Sequence, residues 1–147
     1  MPNRAVFKVI ENRDLLLTVT PEKSVRTVAT HMKQCCVAAI LVVDPDDGKL
    51  IGICTERDLT FKVLAEGLDI DATQVASVMT ADPQTIGPEK PFGHALHMMF
   101  EGGFRHLPVV DLAGRPIGVI SSRDALGPEV TNFGHELEQR EIVTEIL

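Results

Sequence analysis

Tryptophan and tyrosine are absent from this chain, leaving six phenylalanines as its large aromatic side chains. Any planar ligand must therefore be held by aliphatic walls, phenylalanine or arginine rather than by a broad stacking platform. Positive charge is also scarce: 14 Lys and Arg stand against 21 Asp and Glu, a formal net charge of −7. That balance argues against a general nucleic-acid binder, whose affinity comes from clustered basic residues. A small anionic ligand is still allowed, because a local basic pocket can exist in an acidic protein. No apolar run reaches the roughly 18–20 residues that cross a bilayer. The opening segment MPNRAVFKVIENRD has no continuous apolar stretch of the signal-peptide kind. A cytoplasmic protein is expected, with neither nucleic acid nor membrane as partner. Cysteine is limited to the adjacent Cys35 and Cys36 and the isolated Cys54, without metal-site or CxxC spacing. Small buried side chains are expected there rather than a redox pair.

What the chain does have is an internal repeat. Residues 18–44 and 85–111 align at a constant offset of 67. Thr18-Val-Thr-Pro-Glu-Lys23 lies over Thr85-Ile-Gly-Pro-Glu-Lys90, and Ile40–Asp44 over Leu107–Asp111. Past Asp44 the offset drops to 66, a turn shorter by one residue. Ile51-Gly-Ile-Cys-Thr-Glu-Arg-Asp58 then lies over Ile117-Gly-Val-Ile-Ser-Ser-Arg-Asp124.

Each copy has the same local pattern. Val25, Val28, Ala29 and Met32 form a helical stripe, repeated by Phe92, Ala95, Leu96 and Met99. Pro91 suits a first helical turn. Ala38–Val43 and Leu107–Val110 read as short buried strands. Turn signals at 44–48 and 111–114 lead each into a second strand, giving hairpins. A helix is expected after Thr55 and another after Ser121, and an extended segment near Thr18 and near Thr85. With 44% apolar residues in 147, the two units can form a real core together, whereas about 50 residues alone would bury too little. The expected boundaries are 10–67 for the first repeat, 68–80 for a linker with a short helix around Gln74–Met79, and 81–130 for the second. The tail after Gly127-Pro128 carries Val130, Phe133, Leu137, Val143, Ile146 and Leu147 with glutamates between or beside them, and reads over 131–147 as an amphipathic helix docking on the body or on a second subunit.

These features resemble a paired cystathionine-β-synthase (CBS) domain, the Bateman module, over roughly residues 10–130. The match rests on the Met79-Thr80 junction, on Phe104-Arg-His-Leu-Pro-Val-Val-Asp111, and on the two Gly-h-h-(Thr/Ser)-x-Arg-Asp segments, h being apolar. The resemblance implies an α/β (α+β) fold: two βαββα repeats related by pseudo-twofold symmetry, with small mixed sheets flanked by helices and two clefts between them. It also implies adenosine derivatives as ligands, AMP first and ATP, ADP, NAD(H) or S-adenosylmethionine besides, and a disc-like homodimer. In that family the equivalents of Asp58 and Asp124 hold ribose, and the hydroxyl residue faces the phosphate.

The residues suit this chemistry. Thr55 and Ser121 stand where a strand passes into a helix, whose free N–H groups favour a phosphate. Arg57 and Arg123 can bind phosphate through a planar fork. Asp58 and Asp124 can each accept from two neighbouring ribose hydroxyls. A bland reading competes, because Ser/Thr-x-x-Asp is also a capping box that needs no ligand. Recurrence of the tetrad in both repeats favours the nucleotide site. Apolar walls for an adenine are sought at Val19 and Thr20, Ala39 and Ile40, Ile86 and Gly87, and His106 and Leu107, where plain core packing is the alternative. Arg105-His106 of the second repeat corresponds to Ala38-Ala39 of the first, so the clefts are expected to be unequal: one receives an arginine and a titratable histidine, the other only methyl groups. An Arg105 turned to solvent beside a structural His106 is the competing arrangement. His94 and His97 lack a third ligand, and Asp44, Asp46 and Asp47 form a turn rather than a calcium loop. The expected function is a non-catalytic regulatory module that binds an adenine nucleotide and signals by conformational change to an unidentified regulated protein. A structural dimerisation module with vestigial clefts is the alternative, and an enzyme is disfavoured because the repeats use nearly the whole chain.

Overall fold

The computed structural model describes residues 4–13, 15–127 and 136–140. In chain order the elements are α1 (Val6–Ile10), β1 (Thr18–Val19), α2 (Val25–Cys35), β2 (Ala39–Val43), β3 (Leu50–Thr55) and α3 (Glu56–Asp58), which runs on as the π-helical turns Leu59–Leu64. A 3-10 turn (Val75–Ser77), β4 (Thr80–Ala81), α4 (Phe92–Gly102), β5 (His106–Val110), β6 (Pro116–Ser121) and a second 3-10 turn (Ser122–Ala125) follow. This is the expected mixed α+β fold of two like halves.

The long helices form where the apolar stripes require them. Ser24 caps α2, its Oγ accepting from Thr27 N at 3.2 Å. Val25, Val28 and Met32 point inward, while Ala29 at the edge of the stripe stays exposed. Phe92, Ala95 and Met99 do the same for α4. Pro91 stands just outside that helix as its N-cap, at φ −63°. Both helices end on a left-handed residue whose N–H caps the last turn. The second repeat uses Gly103 there (φ 70°), whereas the first uses Cys36 (φ 52°), a conformation that disfavours any side chain. Cys36 is consequently exposed, contrary to the expectation of three buried cysteines, and Cys54 alone is buried.

The hairpins are as expected. β2 pairs with β3 antiparallel, from Ala39 opposite Thr55 to Val43 opposite Leu50. β5 pairs with β6 in the same way, from His106 opposite Ser121 to Val110 opposite Pro116. A register shift falls at the equivalent place in each, Val42/Val43 and Val109/Val110. β1 adds to β2 in parallel, and its counterpart in the second half is a single parallel bridge, Ile86 to Val109. β4 pairs with β3 and completes a four-stranded sheet.

The segment leading into each repeat packs on the other repeat. Val6 and Ile10 of α1 sit in the second core with Ile86, Phe92, Leu107 and Ile120. Backbone bonds hold them there, Val6 N to Lys90 O at 2.8 Å and Phe92 N to Arg4 O at 2.7 Å. Reciprocally, Val75 and Val78 sit in the first core with Val25, Ile40 and Cys54, and Val75 N donates to Lys23 O at 2.8 Å. The expected linker helix around Gln74–Met79 is thus a 3-10 turn of three residues that belongs to the first core. Glycine is needed where these segments cross the hairpins. A Cβ on Gly52 would lie 2.3 Å from Met79 Sδ, and one on Gly118 would lie 2.8 Å from Ile10 Cδ1. The hairpin turns also touch, Leu50 N donating to Gly114 O at 3.0 Å.

After Ser121 the described residues make a four-residue 3-10 turn and reach a helical Gly127, so the helix expected there is described only at its start. The amphipathic helix expected over 131–147 lies outside the described residues except for 136–140, which are helical with an exposed Leu137.

Replacing Cys36 with glycine should raise unfolding stability by about 0.5–1 kcal/mol, since the left-handed backbone then carries no Cβ penalty. Chemical denaturation of the two proteins side by side measures it, and an unchanged or lower midpoint counts against the strain.

Candidate functional site

Both tetrads sit at the end of the second hairpin strand, where the chain turns from sheet to helix. In the first, Asp58 Oδ2 accepts from Thr55 N at 2.9 Å and from Thr55 Oγ1 at 3.2 Å. Its Oδ1 lies 3.0 Å from Lys62 Nζ, one turn further along. In the second, Asp124 Oδ2 accepts from Ser121 N at 2.8 Å, and Ser121 Oγ accepts from Arg123 N at 3.2 Å. Asp124 Oδ1 is paired with Arg13. Both tetrads are therefore complete capping boxes. Both carboxylates are nonetheless mostly buried, with side chains 12% and 14% exposed.

Each tetrad opens into a cleft whose far wall comes from the other repeat. The first cleft, about 530 Å³, brings Thr55, Glu56, Arg57 and Asp58 opposite Gly103–His106, with Thr80, Asp82 and Gln84 at its rim. The second, about 360 Å³, brings Ser121, Arg123 and Asp124 opposite Val37, Ala38 and Ala39, with Arg13 and Leu15–Leu17 at its rim. The exchange follows from the pairing within each hairpin. Ala39 and His106 begin β2 and β5 directly opposite Thr55 and Ser121, which end β3 and β6, so each tetrad has its own repeat's first hairpin strand beside it and the other repeat's equivalent strand across the gap.

The placement of the expected site residues is uneven. Thr55, Arg57, Asp58, Arg105 and His106 line the first cleft, and Ser121, Arg123, Asp124 and Ala39 line the second. Val19, Ile40, Ile86 and Leu107 turn their side chains into the two cores and line neither cleft. Ile40 and Leu107 directly follow Ala39 and His106, which do line the clefts, so on these strands the first residue faces the cleft and the next enters the core. Thr20 lies outside both linings too, its hydroxyl donating to Glu22. His106 borders both clefts rather than one, because it stands where the two hairpin ends meet. The contrast between the clefts is thus narrower than arginine and histidine against methyl groups alone. The arginines of the first cleft lie at its surface, Arg57 with its guanidinium 5.0 Å from the Phe61 ring centre. The rim residues Arg13, Thr80, Asp82 and Gln84 were missed by sequence reasoning. Extending the repeat upstream of Thr18 and Thr85 would have pointed to them, but an insertion in the first copy breaks the alignment there.

Burial pushes the pKa of His106 down, and the neighbouring Arg105 adds to this, while Glu56 and Asp124 oppose it. Burial also raises the Cys54 thiol, to about 12, with Asp58 contributing. Cys54 is therefore a packing residue and not a nucleophile. His94 and His97 are exposed on α4, and among the described residues no group of three or more His, Cys, Asp or Glu side chains converges as a metal site. No helix of the described residues is long and apolar enough to cross a membrane.

The sequence profile of the CBS domain matches residues 9–65 and again 75–127. The chain belongs to the CBS-domain family. It is 38% identical over 112 residues to the CBS domain-containing protein CBSCBSPB1 of Arabidopsis thaliana, a match covering 76% of this chain and 20% of that protein. It is 30% identical over 120 residues to an uncharacterised protein of Methanopyrus kandleri, covering 82% of this chain and 60% of the other. The CBS pair thus spans about a fifth of the plant relative's length and three fifths of the archaeal one. A CBS-domain protein from Burkholderia ambifaria superposes with a TM-score of 0.78 at 31% identity, over 87% of this chain and 95% of that one. A CBS-domain protein from Pyrobaculum aerophilum, solved in complex with AMP, shares the fold with a TM-score of 0.75 at 23% identity, over 82% and 89% of the two chains. The CBS domain pair of protein MJ0100, solved with 5′-methylthioadenosine and S-adenosyl-L-methionine, does so with 0.75 at 24%, over 92% and 99%.

The depressed His106 has a definite pH consequence. The folded CBS pair resists a proton that the unfolded chain accepts at the usual histidine value of about 6.5. The stabilisation is complete above that pH and is lost as pH falls through it towards the lower folded value. Thermal melts between pH 5 and 8 should therefore show a steeper acid decline for the native protein than for His106→Asn. Parallel curves would mean that His106 titrates as it does in the open chain.

Proposed function

We propose that this CBS pair is a non-catalytic regulatory module, binding an adenine nucleotide in the clefts between its repeats and signalling by the change in packing that follows. The observation carrying this reading is the pair of mostly buried carboxylates, Asp58 and Asp124, each opening into a cleft completed by the other repeat. A neutral surface cap has no need of such a cavity, and the volumes fall within the range usual for small-molecule sites. Each carboxylate can take the two ribose hydroxyls if Lys62 or Arg13 yields an oxygen. The aliphatic neighbours hold the base, and Arg57, Arg105 or Arg123 meet a phosphate from the surface. AMP is the first choice, supported by the neighbour solved with it. An adenosine bearing no phosphate is supported by the neighbour holding methylthioadenosine and S-adenosylmethionine. ADP, ATP and NAD(H) follow on the same adenosine chemistry.

Because each cleft has walls from both repeats, a ligand acts on their relative packing by preferring one arrangement. A regulated protein then reads the change. The expected location is the cytoplasm, where such nucleotides are at hand. A second copy of the chain is the expected partner. The helical face exposes Phe61, Leu64 and Leu68 beside a groove lined by Val25, Ala29, Leu59 and Val63, an apolar surface suited to self-association.

The alternative, a dimerisation module with unused clefts, is favoured by the completeness of both capping boxes. The two readings part on the carboxylates. In a thermal-shift panel at ~2 mM AMP, ADP, ATP, NADH and S-adenosylmethionine, at least one should raise the melting temperature. Asp58→Ala and Asp124→Ala should each lower stability by about 1 kcal/mol through the lost cap and also weaken binding by tenfold or more. Stability loss with ligand response intact, or no response to any nucleotide, favours the structural module. For the dimer, Leu64→Asp should convert the sedimenting species to monomer, and a native protein already monomeric at ~0.1 mM sinks that part of the proposal.

A further inference from the structure

Asp124 has no free oxygen, and the group that fills its second one comes from the far end of the chain. Arg13 Nη2 pairs with Asp124 Oδ1, and Arg13 Nη1 donates to Val119 O at 2.9 Å. The other oxygen, Oδ2, already accepts from Ser121 N. A second residue of the same segment reinforces the closure, Arg4 Nη2 donating to the Asp124 carbonyl at 3.4 Å. The guanidinium thus stands at the rim of the second cleft and bonds to the atom that a ribose diol needs.

The first cleft is built differently at this point. Ile10 over Gly118 and Met79 over Gly52 are equivalent contacts, and three residues beyond them stand Arg13 and Asp82. The position that is a cation in the second cleft is an anion in the first, and Asp82 cannot pair with Asp58. The cation on Asp58 is Lys62, which comes from its own helix, also donates to Val78 O at 3.0 Å, and is not part of the cleft lining. The charges follow suit: Glu56, Asp58 and Asp82 outnumber Arg57 and Arg105 in the first cleft, while Arg13 and Arg123 outnumber Asp124 in the second.

We propose that Arg13 is a built-in occupant of the second cleft, which admits a nucleoside only when the ligand carries an anionic group that takes the guanidinium in exchange. This rests on the reading of the clefts as nucleotide sites. A neutral nucleoside would have to break a charge-assisted pair and return nothing to Arg13. A phosphate returns a planar two-bond partner within the same cleft, so Asp124 is released without stranding the cation. In the first cleft the cation on Asp58, Lys62, stands outside the lining and keeps its bond to Val78 O when it yields the carboxylate oxygen, so neutral and phosphorylated adenosine are taken alike. Arg13 is therefore the residue that sets the ligand class of the second cleft, and the two halves of one repeat pair answer different questions about the same pool of nucleosides.

Isothermal titration of the full chain with adenosine and with AMP tests this. The native protein should bind one adenosine, lost in Asp58→Ala and kept in Asp124→Ala, and two AMP. In Arg13→Ala, adenosine should fill two sites, while AMP at the second cleft weakens about tenfold. Arg13→Gln, which retains a donor for Val119 O without the charge, should behave as Arg13→Ala does and guards against a folding defect in the alanine variant. Two adenosine sites in the native protein, one site in both Arg13 variants, or an adenosine site that depends on Asp124 overturns the proposal. If neither compound binds the native protein or any variant, the nucleotide reading itself fails and takes this inference with it.

Discussion

The reciprocal packing of the leading segments governs everything else in this molecule. Each hairpin presents a glycine, Gly52 or Gly118, to a side chain arriving from the segment that leads into the other repeat. Without Val75 and Val78 the first core is open, and without Val6 and Ile10 the second is. Fully burying one such aliphatic side chain is worth about 1.5–3 kcal/mol, so each exchanged pair amounts to a large part of a small domain's stability. The two halves are consequently tied together by the core segments they exchange rather than strung as two beads on a linker.

The clefts are what this exchange leaves behind. Joining two hairpins at their ends places the start of one repeat's strand across from the end of the other's, and the space between is walled by both. His106, at the junction, touches both spaces. The same exchange brings the residues just past Ile10 and Met79 to the rims. The inequality of the two sites is therefore settled at the rim, by Arg13 against Asp82, as much as at the Arg105-His106 and Ala38-Ala39 walls.

Much of this could be read from the residues. The duplication, the stripes of α2 and α4, the hairpins and the tetrads all rest on local periodicity or on side chains recurring at fixed offset, and local patterns survive folding. What could not be read depends on long-range placement. Nothing in the sequence around Val6 says that its core lies next to Phe92, or that Arg13 reaches Asp124. Val19, Ile40, Ile86 and Leu107 lie on extended segments as expected but belong to the cores, because β2 and β5 are buried on both faces except at their ends.

The connectivity also has an order in time. The first core closes once Val78 has been made, so the leading half can fold while the rest of the chain is still being synthesised. Helix α1 is made before all of it, yet its resting place is lined by Phe92, Leu107 and Ile120, and exists only after β6 has emerged. A helix made ahead of both repeats thus docks only after the second hairpin is complete, and on the growing chain its apolar side chains, Val6 and Ile10, wait in water until then.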